Sequence, residues 1–299
     1  MRRLFIVYNP QSSRFSDVKK EVLDRQKDLK GYLVGKYEVE KTDVDKNAIK
    51  FSKLLKDGDF VVSAGGDATG VIAVNAILRS GKDVTLAVLP FGNFNDLSRT
   101  LGTKEFTDIF NDSIKYYPLE IIVDGKLFRY ATCYTTIGMM AEAVHLYDSP
   151  KMRKTLKTAS GRNVGSYTNL AGWYFKNRHK KVFLPEFILN GKLQPKKTSD
   201  YAAVNGKFMA RVMKGGEDYK NPKVFRSETD RLTNFRRLFK LMLKSLFFRI
   251  PGSETKGDVL EFLEPATVEL QAEGEYKTFE NIKKIEVRKS KKCLKVVAN

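Results

Sequence analysis

Twice between Asp59 and Leu101 an apolar run ends in a glycine-bearing turn that carries an acid and opens directly into a helical pattern. Asp59-Phe60-Val61-Val62-Ser63-Ala64 leads into Gly65-Gly66-Asp67-Ala68-Thr69, and then into Gly70 to Arg79, where Val71, Val74 and Leu78 share a face. Val84 to Leu89 leads into Pro90-Phe91-Gly92-Asn93-Phe94-Asn95-Asp96 and a short helix, Leu97 to Leu101. Parallel strands need a crossover connection, usually a helix, whereas antiparallel neighbours need only a tight turn, so this succession predicts a parallel sheet. Ligands of such sheets gather at the carboxyl ends of the strands, which places Asp67 and Asp96 on the same edge.

The flanking sequence extends the alternation. Leu4 to Tyr8 reads as a strand, Asp17 to Leu29 as a helix, Tyr37 to Glu40 as a strand and Ala48 to Leu55 as a helix. From Leu119 the pattern changes: Leu119 to Tyr130 reads as two strands joined by Asp124-Gly125. Further short strands follow at Phe183 to Leu189 before Asn190-Gly191, and at Tyr201 to Val204, Val259 to Leu263, Thr267 to Gln271 and Ile282 to Val287. Helical patterns interrupt them at Tyr167 to Asn177 and Thr233 to Phe248. The second is basic and amphipathic, with Phe235, Leu238, Phe239, Met242 and Leu246 on one stripe and Arg236, Lys240 and Lys244 on another. It reads equally as a surface helix packed on a sheet and as a membrane-surface helix. The expected architecture is therefore α/β plus β: a doubly wound N-terminal α/β domain over residues 1–119 and a mainly antiparallel β-sandwich domain over 120–287. Residues 288–299 are available to pack back onto the first.

At 299 residues with 42% hydrophobic content, the chain can bury two ordinary cores and is not disordered. No apolar run approaches the roughly 18 residues of a membrane span, and the opening apolar stretch is too short for a signal peptide. A cytoplasmic protein is the expectation. Cys133, Cys293, His145 and His179 are too scattered for a structural zinc site or a disulfide scaffold. The net charge of +19 is unevenly spread: 19 Lys and Arg face 17 Asp and Glu over residues 1–120, and 35 face 18 over the rest. A field of that sign draws polyanions, either nucleic acid or an anionic membrane leaflet.

A glycine turn between strand and helix can cradle phosphate oxygens with backbone N–H groups at the positive end of the helix dipole. An acid in such a place makes sense when it organises a Mg2+ ion bridging to the phosphates, as phosphoryl transfer from ATP requires. Asn95-Asp96 also fits a helix N-cap.

Asn9-Pro10 after the first strand, the Gly-Gly-Asp-x-Thr turn, Val74-Asn75 on its helix, and Pro-x-Gly-x-x-Asn-Asp after the next strand together resemble the diacylglycerol kinase catalytic-domain family, which includes bacterial lipid kinases and the sphingosine and ceramide kinases. The NAD kinases, which share the related NAD-kinase/phosphofructokinase-like fold, lack the Asn-Asp loop. Thr136-Ile137-Gly138-Met139, Val204-Asn205-Gly206 and Gln271-Ala272-Glu273-Gly274-Glu275 extend the resemblance toward the C-terminus. It implies that Asn9, Thr69, Gly92 and Asn95 line ATP, that Gly65 and Gly66 hold its phosphates, and that Asp67 and Asp96 organise Mg-ATP. It further implies that Glu275 accepts the proton of a lipid hydroxyl, with Glu273 as second candidate. Diacylglycerol giving phosphatidic acid is the implied reaction, on a protein held peripherally at the inner face of the membrane by its basic half; a homodimer is compatible with this. No nucleic acid is expected.

Ala68, Ile72, Asn93 and Ser13 stand where the family has glycine, glutamate, threonine and glycine. They motivate the alternative of a catalytically weak or inactive relative that binds nucleotide or anionic lipid; a nucleic-acid-binding protein is the second alternative. The family's structural metal site has no counterpart in Val212 to Asp230, and that second metal is not expected.

Overall fold

The computed structural model describes residues 2–12, 14–40, 43–92, 95–147, 172, 174–209, 213–215, 223–227, 234–245 and 247–299. Ser13 and Asn93 lie outside them, as do much of the Tyr167 to Asn177 and Val212 to Asp230 segments.

The first apolar runs become neighbouring parallel strands: β1 (Arg2–Tyr8), β2 (Tyr32–Glu38), β3 (Phe60–Gly65) and β4 (Thr85–Pro90), in the order β2-β1-β3-β4. β5 (Ser113–Tyr116) and a C-terminal strand, Leu294–Val297, complete six strands, the latter lying between β4 and β5, parallel to one and antiparallel to the other. β3 is buried along its whole length, which is why its run carries no polar alternation.

Between Phe15 and Asp28 the expected single helix is three short turns instead: α1 (Phe15–Val18), a π turn over Lys19–Leu23 and a 3-10 turn over Gln26–Asp28. The Asp24 amide donates five residues back, to the Lys19 carbonyl, at 2.8 Å. This widened winding brings Val18, Val22 and Leu29 into one cluster with Leu4, Ile6 and Val62. β2 also begins five residues earlier than its pattern suggests. Gly35 hides it: a Cβ there would lie 2.8 Å from the Phe5 ring, so a residue that weakens strand propensity is needed for close packing.

α2 (Val44–Ser52) is capped by the Asp43 carboxylate, which accepts from the Asp45 and Lys46 amides. α3 (Asp67–Ser80) crosses from β3 to β4, and α4 (Asp96–Leu101) follows β4. Both helices start at their acid, earlier than the apolar pattern alone suggests.

The second domain is antiparallel. Its strands are β6 (Leu119–Val123), β7 (Lys126–Ala131), β8 (Tyr134–Gly138), β9 (Phe187–Leu189), β10 (Lys192–Leu193), β11 (Asp200–Val204), β12 (Phe208–Met209), β13 (Met213–Lys214), β14 (Val224–Ser227), β15 (Gly252–Thr255), β16 (Gly257–Ala272) and β17 (Glu275–Lys289). All but the β12–β13 pair join one sheet. The strands expected at Val259 to Leu263 and Thr267 to Gln271 are one strand, β16, whose register against β17 shifts between Glu261 and Val268, around Pro265. Proline lacks the amide that a continuous ladder needs, so the strand bends there without ending. On its other edge β16 pairs with β9 before the bend and with β8 after it. Leu119, Ile137, Phe187, Tyr201, Leu260 and Leu270 fill the core this encloses.

β17 leads into β18 (Leu294–Val297), so the chain finishes in the first sheet. α5 (Met139–Tyr147) follows β8, and α6 (Phe235–Ser245) occupies the expected second helical stretch. Among the described residues no helix is long and apolar enough to cross a membrane.

One side chain does much to join the domains. Asn75 of α3 is fully buried; its Nδ2 donates to the Tyr130 carbonyl and its Oδ1 accepts from the Tyr130 amide, both at 2.9 Å. Asn75→Ala leaves both β7 groups without that partner, and urea denaturation is expected to show a loss of about 2–4 kcal/mol. A loss below about 0.5 kcal/mol would mean that the contact adds little.

Candidate active site

Parallel pairing carries three strand ends to one edge. Tyr8 lies beside Ala64 and Gly65 beside Pro90, which sets Asn9, the Gly65-Gly66 turn and the Phe91-Gly92 turn next to one another. The two turns touch through their backbones. The Phe91 amide donates to the Gly65 carbonyl at 3.1 Å, and a Cβ on Gly92 would fall 2.3 Å from the Gly66 Cα. Glycine is therefore demanded at Gly92 by contact within the protein, before any ligand is considered, and at Gly66 a Cβ would sit in a tight 3.1 Å contact with the Gly92 Cα.

Asp67 locks this arrangement. Its Oδ2 accepts from the Asn95 amide at 3.0 Å and its Oδ1 from the Asp96 amide at 2.9 Å, so one carboxylate from the neighbouring turn caps the start of α4. Burial raises its pKa while those amides pull it down. Asn95 adopts φ +58° and folds its side chain back, accepting from the Gly92 amide at 2.7 Å and donating to the Gly92 carbonyl at 2.9 Å. Asparagine tolerates that left-handed backbone better than most residues. Asp96, at α4's first turn, is 2% exposed. Thr69 is buried with its side chain over Gly65, and Asn9 forms a turn in which its Oδ1 accepts from the Gln11 amide at 2.9 Å.

The third acid reaches this place from the far end of the chain. β16 and β17 are joined by Glu273-Gly274, both with positive φ, the two-residue hairpin geometry usually built from Asn-Gly. Gln271 holds the tip when its amide is oriented to satisfy both ends: Nε2 donates to Thr136 Oγ1 at 2.9 Å, and Oε1 accepts from the Glu273 and Gly274 amides at 3.2 and 2.5 Å. Glu273 turns inward, 6% exposed, accepting from the Thr132 hydroxyl and the Cys133 amide. Glu275 opens β17 opposite Ala272 and is half-buried. The Asp67 charge acts on Glu273, adding to the rise of its pKa. After burial, the charges of Asp96, Asp67 and Glu273 all contribute to raising the Tyr134 phenol, and the same three raise the Cys133 thiol. The charges of Asp67 and Asp96 from the first domain and Glu273 from the second thus act on the same two buried residues, Cys133 and Tyr134.

Burial pushes the Glu273 carboxyl up to about 7, Asp67 adds to the rise, and the Thr132 and Cys133 donors oppose it. The folded protein then holds this proton more tightly than the unfolded chain does. That stabilisation is complete below the ordinary value of 4.5 and is lost as pH rises through 7. Glu273→Gln keeps an oxygen for both donors, which share Oε1. It is expected to gain on the order of 3 kcal/mol over wild type at pH 8 and little at pH 4 in urea titrations. Equal differences at the two pH values would refute the assignment.

Sequence reading missed Arg14. Its Nη1 donates to the Pro90 carbonyl at 2.9 Å, its Nε pairs with Asp17 at 2.7 Å, and its guanidinium lies over the Phe91 ring, 5.6 Å from the centroid. A lone arginine in the loop after Asn9-Pro10 was its only signal. The Asn205-Gly206 strand end also has a defined place: Asn205 Nδ2 donates to the Thr132 and Tyr117 carbonyls at 2.7 and 3.0 Å, bracing the connection between β7 and β8 that presents the donors to Glu273. Among the described residues no cluster of three or more His, Cys, Asp or Glu side chains is placed to hold a metal ion.

Residues 3–127 match the family model described as the diacylglycerol kinase catalytic domain. A diacylglycerol kinase of Bacillus subtilis is 33% identical over 104 residues, 34% of this chain and 34% of that protein. One from Staphylococcus saprophyticus is 28% identical over 130 residues, 43% of this chain and 39% of that one. The chain thus spans about a third to two fifths of the curated relatives it matches. The crystal structure of a diacylglycerol kinase from Bacillus anthracis str. Sterne aligns with 100% of this chain and 97% of its own, at TM-score 0.67 and 15% identity. At that identity the likeness is one of fold.

Proposed function

We propose, for a chain whose N-terminal domain belongs to the diacylglycerol kinase catalytic-domain family, that the protein transfers the γ-phosphoryl group of ATP to the hydroxyl of a membrane lipid, diacylglycerol being the expected acceptor. The observation that carries this reading is the lock at Asp67, which pins two glycine turns and a second acid at one sheet edge. A triphosphate laid along that edge would meet the turns' backbone and the Arg14 guanidinium, with Asn9 and Thr69 beside it.

The donor set suits Mg2+, which is commonly held by one or two carboxylates together with substrate phosphates and water, and the Asp67 carboxylate, with about four lone-pair sites on its two oxygens, keeps accepting capacity beyond its backbone donors. Asp67 and Asp96 would hold the ion, which neutralises charge between the β- and γ-phosphates when bound. The lipid hydroxyl must shed its proton as it attacks. Glu275 is the acceptor the family resemblance implies, and Glu273, its carboxyl pushed up to about 7, is the second candidate. The +17 balance of residues 121–299 would hold the lipid side against an anionic leaflet.

Incubation with radiolabelled ATP and a total lipid extract tests the proposal. Label is expected in one lipid class, and Asp96→Asn, which retains the backbone amide that Asp67 accepts, is expected to lose at least about a hundredfold in rate. ATP binding with no lipid labelled would favour the alternative of an inactive relative.

A further inference from the structure

The outward part of α6 is basic and apolar at once. Phe235 and Leu238 turn into the core, and Phe239 stacks on Tyr174 with ring centroids 4.4 Å apart. Arg236, Lys240 and Lys244, four residues apart, form an exposed row. Beyond Ser245 the chain keeps curling, since the amides of Phe247 and Phe248 both donate to the Lys244 carbonyl, at 3.1 and 2.9 Å. Their side chains are left 76% and 72% exposed, the two highest values for large apolar residues among those described, with Leu243 at 49%.

This projecting end is firmly based. The Ile250 amide donates to the Lys214 carbonyl at 2.9 Å, Arg249 Nε donates to the Gly215 carbonyl at 2.9 Å, and the Arg249 guanidinium covers the Phe225 ring. No Asp or Glu occurs between Asn234 and Ile250. Two rings held in water beside unbalanced cations fit an occupant that is apolar within and anionic at its surface. An anionic bilayer has both properties: the rings enter the boundary of headgroups and acyl chains while the cations meet lipid phosphates.

We propose that Leu243, Phe247 and Phe248, with Arg236, Lys240 and Lys244 behind them, are the segment by which the protein enters an anionic membrane surface. This rests on the lipid-kinase reading only in explaining why the protein goes there, so binding and turnover are measured separately.

Full-length protein is sedimented with phosphatidylcholine vesicles with and without phosphatidylserine, at fixed salt. Wild type is expected to prefer the anionic vesicles, and F247A/F248A to bind them at least about tenfold more weakly. K240Q/K244Q is expected to lose the preference for phosphatidylserine. As a second measurement, Phe248→Trp is expected to shift its emission to the blue on anionic vesicles, read against the single native tryptophan, Trp173. With a short-chain diacylglycerol dispersed as monomer, F247A/F248A is expected to turn over as wild type does. Undiminished binding by F247A/F248A, no preference for anionic vesicles, or tighter binding to single-stranded nucleic acid at the same salt would each overturn the proposal. If no acceptor is phosphorylated while vesicle binding depends on the two phenylalanines, the kinase reading fails and the docking segment stands.

Discussion

Asp67→Asn is expected to lower kcat for lipid phosphorylation by about a thousandfold or more, the largest effect of any single change at the site. Two losses combine. The charge that would organise Mg-ATP disappears, and an amide offers one accepting oxygen where the carboxylate serves two backbone donors, Asn95 and Asp96. The NH2 group then faces one of those donors, which destabilises the lock by about 1–3 kcal/mol. Steady-state kinetics with labelled ATP, set beside the urea midpoint, separates the two: Asp96→Asn should share the kinetic loss with a smaller change in stability. Activity within tenfold of wild type in Asp67→Asn would remove this carboxylate from the proposed chemistry.

Gly92→Ala is expected to damage the site through shape alone. Its methyl group would lie 2.3 Å from the Gly66 Cα, 2.8 Å from Asn95 Oδ1 and 3.4 Å from the Asp67 amide. Two of these neighbours are backbone and cannot swing aside, so the turns must part. A stability loss of about 1–3 kcal/mol is expected, with ATP affinity falling by more than about tenfold as the phosphate cradle widens. Gly70→Ala is the contrast. Within α3 its Cβ meets only Leu97 Cδ2 at 4.0 Å, and gains of up to about 1 kcal/mol in helix propensity are expected. Comparable damage from both changes would show that the close approach of Gly66 and Gly92 is not what matters.

The parallel sheet was legible because β3 and β4 are buried on both faces and so appear as nearly unbroken apolar runs, while the turns between strand and helix carry glycine and acid together. The hairpin at Asp124-Gly125 was legible for a similar reason: both residues have positive φ, which those residue types favour. β2 was misread because Gly35 answers to the Phe5 ring rather than to strand propensity. The helix expected after Asp17 is broken because packing of Val18, Val22 and Leu29 outweighs winding. Arg14 gave no sign of its place beside Pro90, since that contact joins residues 76 apart in the chain.

What the sequence determined by itself was chemistry that repeats locally: two acidic glycine turns, each after a buried strand, and their arrival on a common edge, because parallel pairing leaves no other place for them. Tertiary structure alone decided where the Glu273 carboxylate lies. Glu273 and Glu275 are two residues apart and look alike in the chain, yet a tight turn with positive φ at Glu273 and Gly274 sends the first beneath the Thr132 hydroxyl and the Cys133 amide. Those donors lie about 140 residues away in the same domain, and no local pattern reports a partner brought near only when β8 pairs with β16.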